Sequence, residues 1–219
     1  MTKKVLVTGV SGFLGHHCAV ELLKNGYHVK GSLRNLDKKD EVINGIRKEI
    51  EPKDNLDFVK LDLLNDDGWD DAVKDCDYVL HTAAPFSVVE PNDENEYILP
   101  IRDGSIRVLK FSQKARVKRV VLTSSAVTMM GVIYDSNENS GIVSSKDWTD
   151  PNSKKINTYI KAKTLGEKAA WNFIKNQPDN SSIEMAVICA GGIYGPSLTG
   201  NLSGFSLKGI HRMLTGHFK

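Results

Sequence analysis

Tyr159 and Lys163 stand four residues apart, and of the residue pairs in this sequence theirs is the spacing that most directly suggests chemistry. Positions i and i+4 of a helix share a face, so a helix here would set a phenol beside an ammonium. The Lys163 charge would lower the proton affinity of the phenol, and Tyr159 could then pass a proton to a carbonyl oxygen as hydride reaches the carbon. Taken alone, Tyr-x-x-x-Lys arises by chance in many amphipathic helices. Here Thr123-Ser124-Ser125-Ala126 supports it, closing a short apolar run at the point where parallel sheets place site residues. The Ser125 hydroxyl could hydrogen-bond a substrate oxygen and stabilise charge developing on it. Ser124 is the alternative bearer of that role, and it could equally satisfy backbone groups at the strand end.

A second cluster lies near the N-terminus. Thr8-Gly9-Val10-Ser11-Gly12-Phe13-Leu14-Gly15 spaces its glycines as G-x-x-G-x-x-G, directly after a β-branched run and at the opening of a helical stripe. One glycine permits the tight turn, one admits a pyrophosphate to the backbone, and one allows close helix–strand packing. The helix N-terminus adds unpaired N–H groups and the positive end of its dipole. At the end of the next apolar run, Gly31-Ser32-Leu33-Arg34-Asn35 carries no acid to hold ribose hydroxyls. Ser32 and Arg34, with Lys38 or Lys39 nearby, could instead receive a 2′-phosphate, which favours NADP(H) and leaves NAD(H) possible. Asp62-Leu63 could accept from an adenine amino group and lie along its ring, although an Asp after a strand also serves as a turn residue.

The elements that must position these residues alternate between short apolar runs and helical periods, the pattern of βαβ units. Strands are expected at Lys4 to Thr8, His28 to Ser32, Leu56 to Leu61, Tyr78 to Thr82, Arg119 to Ser124 and Ile183 to Cys189. Several are almost continuously apolar, as strands are when helices cover both faces of a sheet. Helices are expected at Gly12 to Asn25, Asp37 to Ile50, Asp67 to Lys74, Asn95 to Ala115 and Thr158 to Asn176. In the first, Phe13, Leu14, Cys18, Leu22 and Leu23 form the apolar stripe. The fold class is therefore α/β, a Rossmann-type doubly wound parallel sheet with helices on both faces. One long polar loop is expected from Gly131 to Asn157.

Composition narrows the function classes. The 219 residues are 40% hydrophobic and 26% charged with a formal net charge of +2, typical of a soluble globular protein and without a push toward nucleic acid or anionic membrane. The basic run Lys114 to Arg119 reads as a solvated helix end followed by a strand entry. Cys18, Cys76 and Cys189 are odd in number and widely spaced, so no disulfide framework is expected; Cys18 and Cys189 read as buried thiols. Nothing in the spacing of the six histidines suggests a metal site. The N-terminus leads straight into Val5-Leu6-Val7 without a signal-peptide core, no segment approaches membrane-spanning length, and a cytoplasmic location is expected.

Together the Gly9/Gly12/Gly15 turn, Ser125 and the Tyr159/Lys163 pair resemble the extended short-chain dehydrogenases/reductases. Further stretches narrow the resemblance to the dihydroflavonol, cinnamoyl-CoA and ketone/methylglyoxal reductases. These are His81-Thr82-Ala83-Ala84-Pro85-Phe86, Glu94-Asn95-Glu96 to Pro100, Arg119 to Ala126, Asp147-Trp148 and Lys163 to Trp171. The resemblance implies an NADPH-dependent reduction of an aldehyde or ketone, with Ser125, Tyr159 and Lys163 as catalytic triad. It implies cofactor contacts from Thr8 to Gly15 (Thr8, Gly9, Ser11, Gly12, Phe13, Leu14, Gly15), from Ser32, Arg34, Asp62 and Leu63, and from Thr82, Ala83, Ala84 and Ser124. Ala190, Gly191 and Ile193 would lie near the nicotinamide, and Pro85 and Phe86 would begin the substrate side. It implies a monomer or homodimer with a small-molecule carbonyl substrate. Members of the group continue for about a hundred residues more, so 1–194 is expected to be the NADP(H)-binding domain and 195–219 the beginning of an incomplete substrate lobe. Two alternatives share the same turn: a sugar-nucleotide epimerase or dehydratase, and a dinucleotide-binding module without catalysis.

Overall fold

Six runs rich in valine, leucine and isoleucine become strands in a computed structural model of the chain, which describes residues 2–85, 90–131, 133, 142–202 and 204–217. They are β1 (Lys4–Thr8), β2 (His28–Leu33), β3 (Leu56–Lys60), β4 (Tyr78–His81), β5 (Arg119–Ser125) and β6 (Glu184–Ala190). Each end lies within one residue of its expectation. All neighbouring pairs are parallel, in the order β3-β2-β1-β4-β5-β6. That is the order of a doubly wound dinucleotide-binding sheet, whose chain reverses direction between β1 and β4 and opens a crevice at the strands' C-terminal ends.

The connecting helices are α1 (Phe13–Lys24), α2 (Lys39–Arg47), α3 (Trp69–Val73), α4 (Asn95–Lys114), α5 (Thr158–Lys175) and α6 (Phe205–Leu214). Alternation along β1 divides the core between the two faces of the sheet. Val5 and Val7 pack with Ala19, Val20 and Leu23 of α1 and with Val42 and Ile46 of α2. Leu6 faces the other way, among Trp69 and Val73 of α3, Val108 and Leu109 of α4 and Ala170 of α5.

Several expectations are corrected. The stripe that α1 buries is Gly15, His16, Ala19, Val20 and Leu23. Leu23 is buried as expected and Cys18 and Leu22 pack partly covered against the same cluster, whereas the small Gly15 and Ala19 let the helix close on the sheet while Phe13 and Leu14 turn toward a cavity. The helix expected from Asp37 opens as a 3-10 turn over Leu36–Lys38, capped by the Asn35 side chain, which accepts from the Asp37 N–H. Among the cysteines, all free, Cys76 is the buried one; Cys18 and Cys189 are only partly covered. The basic run is the exposed helix end and strand entry that was expected, and three of its cations pair there, Lys114 with Asp70 at 2.8 Å, Lys118 with Asp77 at 2.6 Å and Arg119 with Glu184. The segment after residue 194 docks on the domain: Leu198 is buried with the α1–α2 cluster and His17 Nε2 lies 2.9 Å from the Pro196 carbonyl oxygen. Among the described residues no helix is long and apolar enough to cross a membrane.

Candidate active site

Parallel register gathers the C-terminal strand ends on one edge, with Thr8 opposite His81 and Ser125 opposite Ala190. A cavity of about 750 Å³ opens there. Phe13 and Leu14 wall it from α1, Ser125 from the end of β5, Val127 and Met130 from the segment that follows, and Tyr159 and Ile160 from α5. Ala190, Gly191, Gly192 and Ile193 close it after β6, and Ser206 and Leu207 of α6 reach it from the tail. The Ser206 hydroxyl accepts from the Ile193 N–H at 3.3 Å, which ties α6 to that rim.

Asn157 starts α5 by accepting the Ile160 N–H at 2.9 Å, which fixes Tyr159 in the first turn and aims it into the cavity. Its phenol is hydrogen-bonded to Ser125; burial pushes it above the usual tyrosine value and the Ser125 bond partly offsets the rise. Lys163 was expected to draw the phenol down. Desolvation dominates instead, and the lysine ammonium is engaged elsewhere, donating to the Thr123 carbonyl at 3.2 Å. Lys163 is itself buried, and burial brings its ammonium down from 10.5 to about 8, opposed by the charge of Glu167.

The glycine turn is tight and closely packed. Gly9 sits at φ +67°, and a β-carbon there would come within 3.0 Å of Ala83. At Gly15 a β-carbon would overlap the Gly9 carbonyl oxygen, so α1 crosses the turn with no side chain between them. The Gly12 N–H closes the turn on the Gly9 carbonyl at 2.9 Å, and no side chain caps α1, which leaves its first N–H groups open to an anion. Ser11 and Gly12 are exposed at this mouth.

The other expected residues divide. The Thr8 hydroxyl is 2.9 Å from His81 Nδ1 and accepts the Ala83 N–H at 3.2 Å, while Thr82 donates to the Thr8 carbonyl at 2.6 Å. Thr82 and Ala83 are thereby locked against the turn, with Ala84 exposed beside them. Ser32 is buried under the turn, where its hydroxyl accepts the Gly9 N–H at 3.1 Å; Arg34, two residues on, is exposed. Asp62 makes a local turn, accepting the Leu64 N–H at 2.9 Å, and Leu63 leans on Gly104 of α4. Pro85 is half-buried; Phe86 lies outside the described residues.

The Ser124 hydroxyl does not reach the cavity. It donates to the carboxylate of Glu167, a buried residue that sequence reasoning passed over. The signal for Glu167 was its place four residues after Lys163, on the face already occupied by Tyr159.

Residues 5–219 match the model of the NAD dependent epimerase/dehydratase family. The chain is similar to dihydroflavonol 4-reductase of Arabidopsis thaliana, 35% identical over 79% of this chain and 46% of that protein. It is also similar to cinnamoyl-CoA reductase 1 of Petunia hybrida, 33% identical over 98% of this chain and 61% of that one. Among solved structures, yeast methylglyoxal/isovaleraldehyde reductase complexed with NADPH superposes with a TM-score of 0.78 at 26% identity, over 89% of this chain and 59% of the other. The chain thus spans less than two thirds of each of these proteins.

Proposed function

The chain belongs to the NAD dependent epimerase/dehydratase family, and from that membership we propose that it is the cofactor-binding and catalytic portion of an NADPH-dependent reductase of aldehydes or ketones. The observation that carries this reading is the Ser125–Tyr159 hydrogen bond at the cavity wall, with Lys163 buried on the same helix. The relatives named above are reductases, and one neighbour is complexed with NADPH.

Gly9, Gly12, Gly15 and the first N–H groups of α1 would hold the pyrophosphate, Arg34 the 2′-phosphate and Lys163 the ribose hydroxyls. When bound, NADPH supplies the hydride that reduces the carbonyl carbon. Ser125 donates a hydrogen bond to the carbonyl oxygen and orients it. Tyr159, kept protonated by its burial, transfers its phenolic proton to that oxygen as the charge develops. The Lys163 ammonium then stabilises the phenolate until solvent returns the proton. Residues 1–194 would form the cofactor domain, and 195–219 would contribute the first wall of a substrate lobe, a reading supported by Ser206 and Leu207 at the cavity.

Val127, Met130, Ile160 and Leu207 set apolar side chains beside Tyr159, a surface suited to the carbon skeleton of an aldehyde or ketone. Replacing Tyr159 with Phe tests the central assignment. NADPH affinity should change little while kcat for carbonyl reduction drops by about 10²–10⁴-fold. Turnover within a few-fold of the parent would remove Tyr159 as proton donor.

A further inference from the structure

Glu167 follows Lys163 by one helical turn on α5 and is 6% exposed. Its carboxylate is met by groups from β5, from the turn after it, from β6 and from α5 itself. Ser124 of β5 donates to Oε2, Thr128 Oγ1 lies 2.9 Å from the same oxygen, and Trp171 Nε1–H donates to Oε1 at 3.3 Å. Cys189 of β6 places its sulfur 3.6 Å from Oε2. A carboxylate taken from water keeps its charge when several donors replace that water, and such a charge acts strongly on its neighbours at low dielectric.

We propose that Glu167 is the positioning residue of this site: its buried carboxylate sets an anion one helical turn from Lys163 and clamps the end of β5, with Ser125, to α5, with Tyr159. The proposal rests on the reading of Tyr159 and Lys163 given above. Two neighbours respond to a negative charge at this position. Burial drives Lys163 down to about 8, and Glu167 is the group that opposes the fall. At Cys189 burial raises the thiol and Glu167 raises it further. Two other titratable groups lie toward Lys163 from the elements that frame the site: Tyr159, a turn earlier on α5, and His81 of β4, which burial and the lysine's own charge hold neutral. Neither supplies a compensating anion. An apolar residue at 167 could pack between the same elements, but it would leave Lys163 buried without an opposite charge.

The test is Glu167→Gln, which keeps size and shape and deletes the charge. In the cofactor-free chain, with labelled lysine side chains followed by NMR, the Lys163 midpoint should move down by about one pH unit. Site-resolved alkylation should show the Cys189 midpoint moving down as well, and the alkaline limb of kcat/KM should follow Lys163. Trp171→Phe, which removes a donor and spares the charge, should leave the Lys163 midpoint in place. Unchanged Lys163 and Cys189 midpoints in Glu167→Gln, with activity lost only in proportion to Tm, would overturn the proposal. If that variant does not fold, the carboxyl-carbon resonance of Glu167 in the parent decides: an ionised signal at pH 7 supports the proposal and a protonated one ends it. A Lys163 midpoint that moves in Glu167→Gln, combined with full turnover in Lys163→Met, would sink the reductase reading of the site while the Glu167 coupling stood.

Discussion

His81 and Lys163 carry opposite chemistry into the same interior, and each leaves a signature in stability. Burial, reinforced by the Lys163 charge, lowers His81 to about 3. The unfolded chain therefore binds a proton at His81 that the folded chain refuses between about pH 6.5 and 3. The contribution of the neutral ring is complete above pH 6.5 and is lost as pH falls, at about 1.4 kcal/mol per pH unit. Lys163, lowered from 10.5 to about 8, acts in the same sense at the other end: stability should rise between pH 8 and 10.5, as the unfolded chain alone keeps that proton. Urea titrations of the cofactor-free chain across pH 4–7 would show the first effect. His81→Asn should flatten that acid slope, and an unchanged slope would mean that His81 titrates normally.

The strands were legible because burial on both faces makes them continuous runs of valine, leucine and isoleucine, as in Val120-Val121-Leu122. Helix faces were harder to read. In α1 the large residues Phe13 and Leu14 suggested the packed side, whereas the sheet receives Gly15 and Ala19, because close approach selects the smallest side chains. The glycine turn was readable from its spacing together with the strand before it and the helix after it, but the use of Ser32 beneath it and of Thr8 behind it was not, since hydroxyls that serve the backbone look no different in sequence from those that serve a ligand. Glu167 escaped for a similar reason: an acid on a helix ordinarily faces water. Two variants probe this element. Gly15→Ala forces α1 away from the Gly9 carbonyl and should weaken NADPH binding by at least about tenfold, the equivalent of one lost charge-assisted bond. Arg34→Ala should weaken NADPH by about 10–100-fold and leave NADH unchanged; equal losses for both nucleotides would remove Arg34 from the 2′-phosphate. Calorimetric titration reads both.

The whole molecule is arranged so that chemistry collects at one edge. Helices α1 and α2 cover one face of the sheet and α3, α4 and α5 the other. The strand ends between them are left open, and the tail carrying α6 lies across that opening. The exposed Arg34, two residues past the Ser32 hydroxyl that accepts the Gly9 N–H, and the uncapped start of α1 are the groups proposed to meet the cofactor's anions. The most direct test is to follow reduced nicotinamide consumption by the purified chain over a panel of neutral aldehydes and ketones, with NADPH and NADH in parallel. Oxidation of NADPH matched one-to-one by alcohol formation, with at least about tenfold preference over NADH, is the predicted result. Binding of either nucleotide without reduction of any carbonyl in the panel would contradict the assignment of this site as a reductase centre.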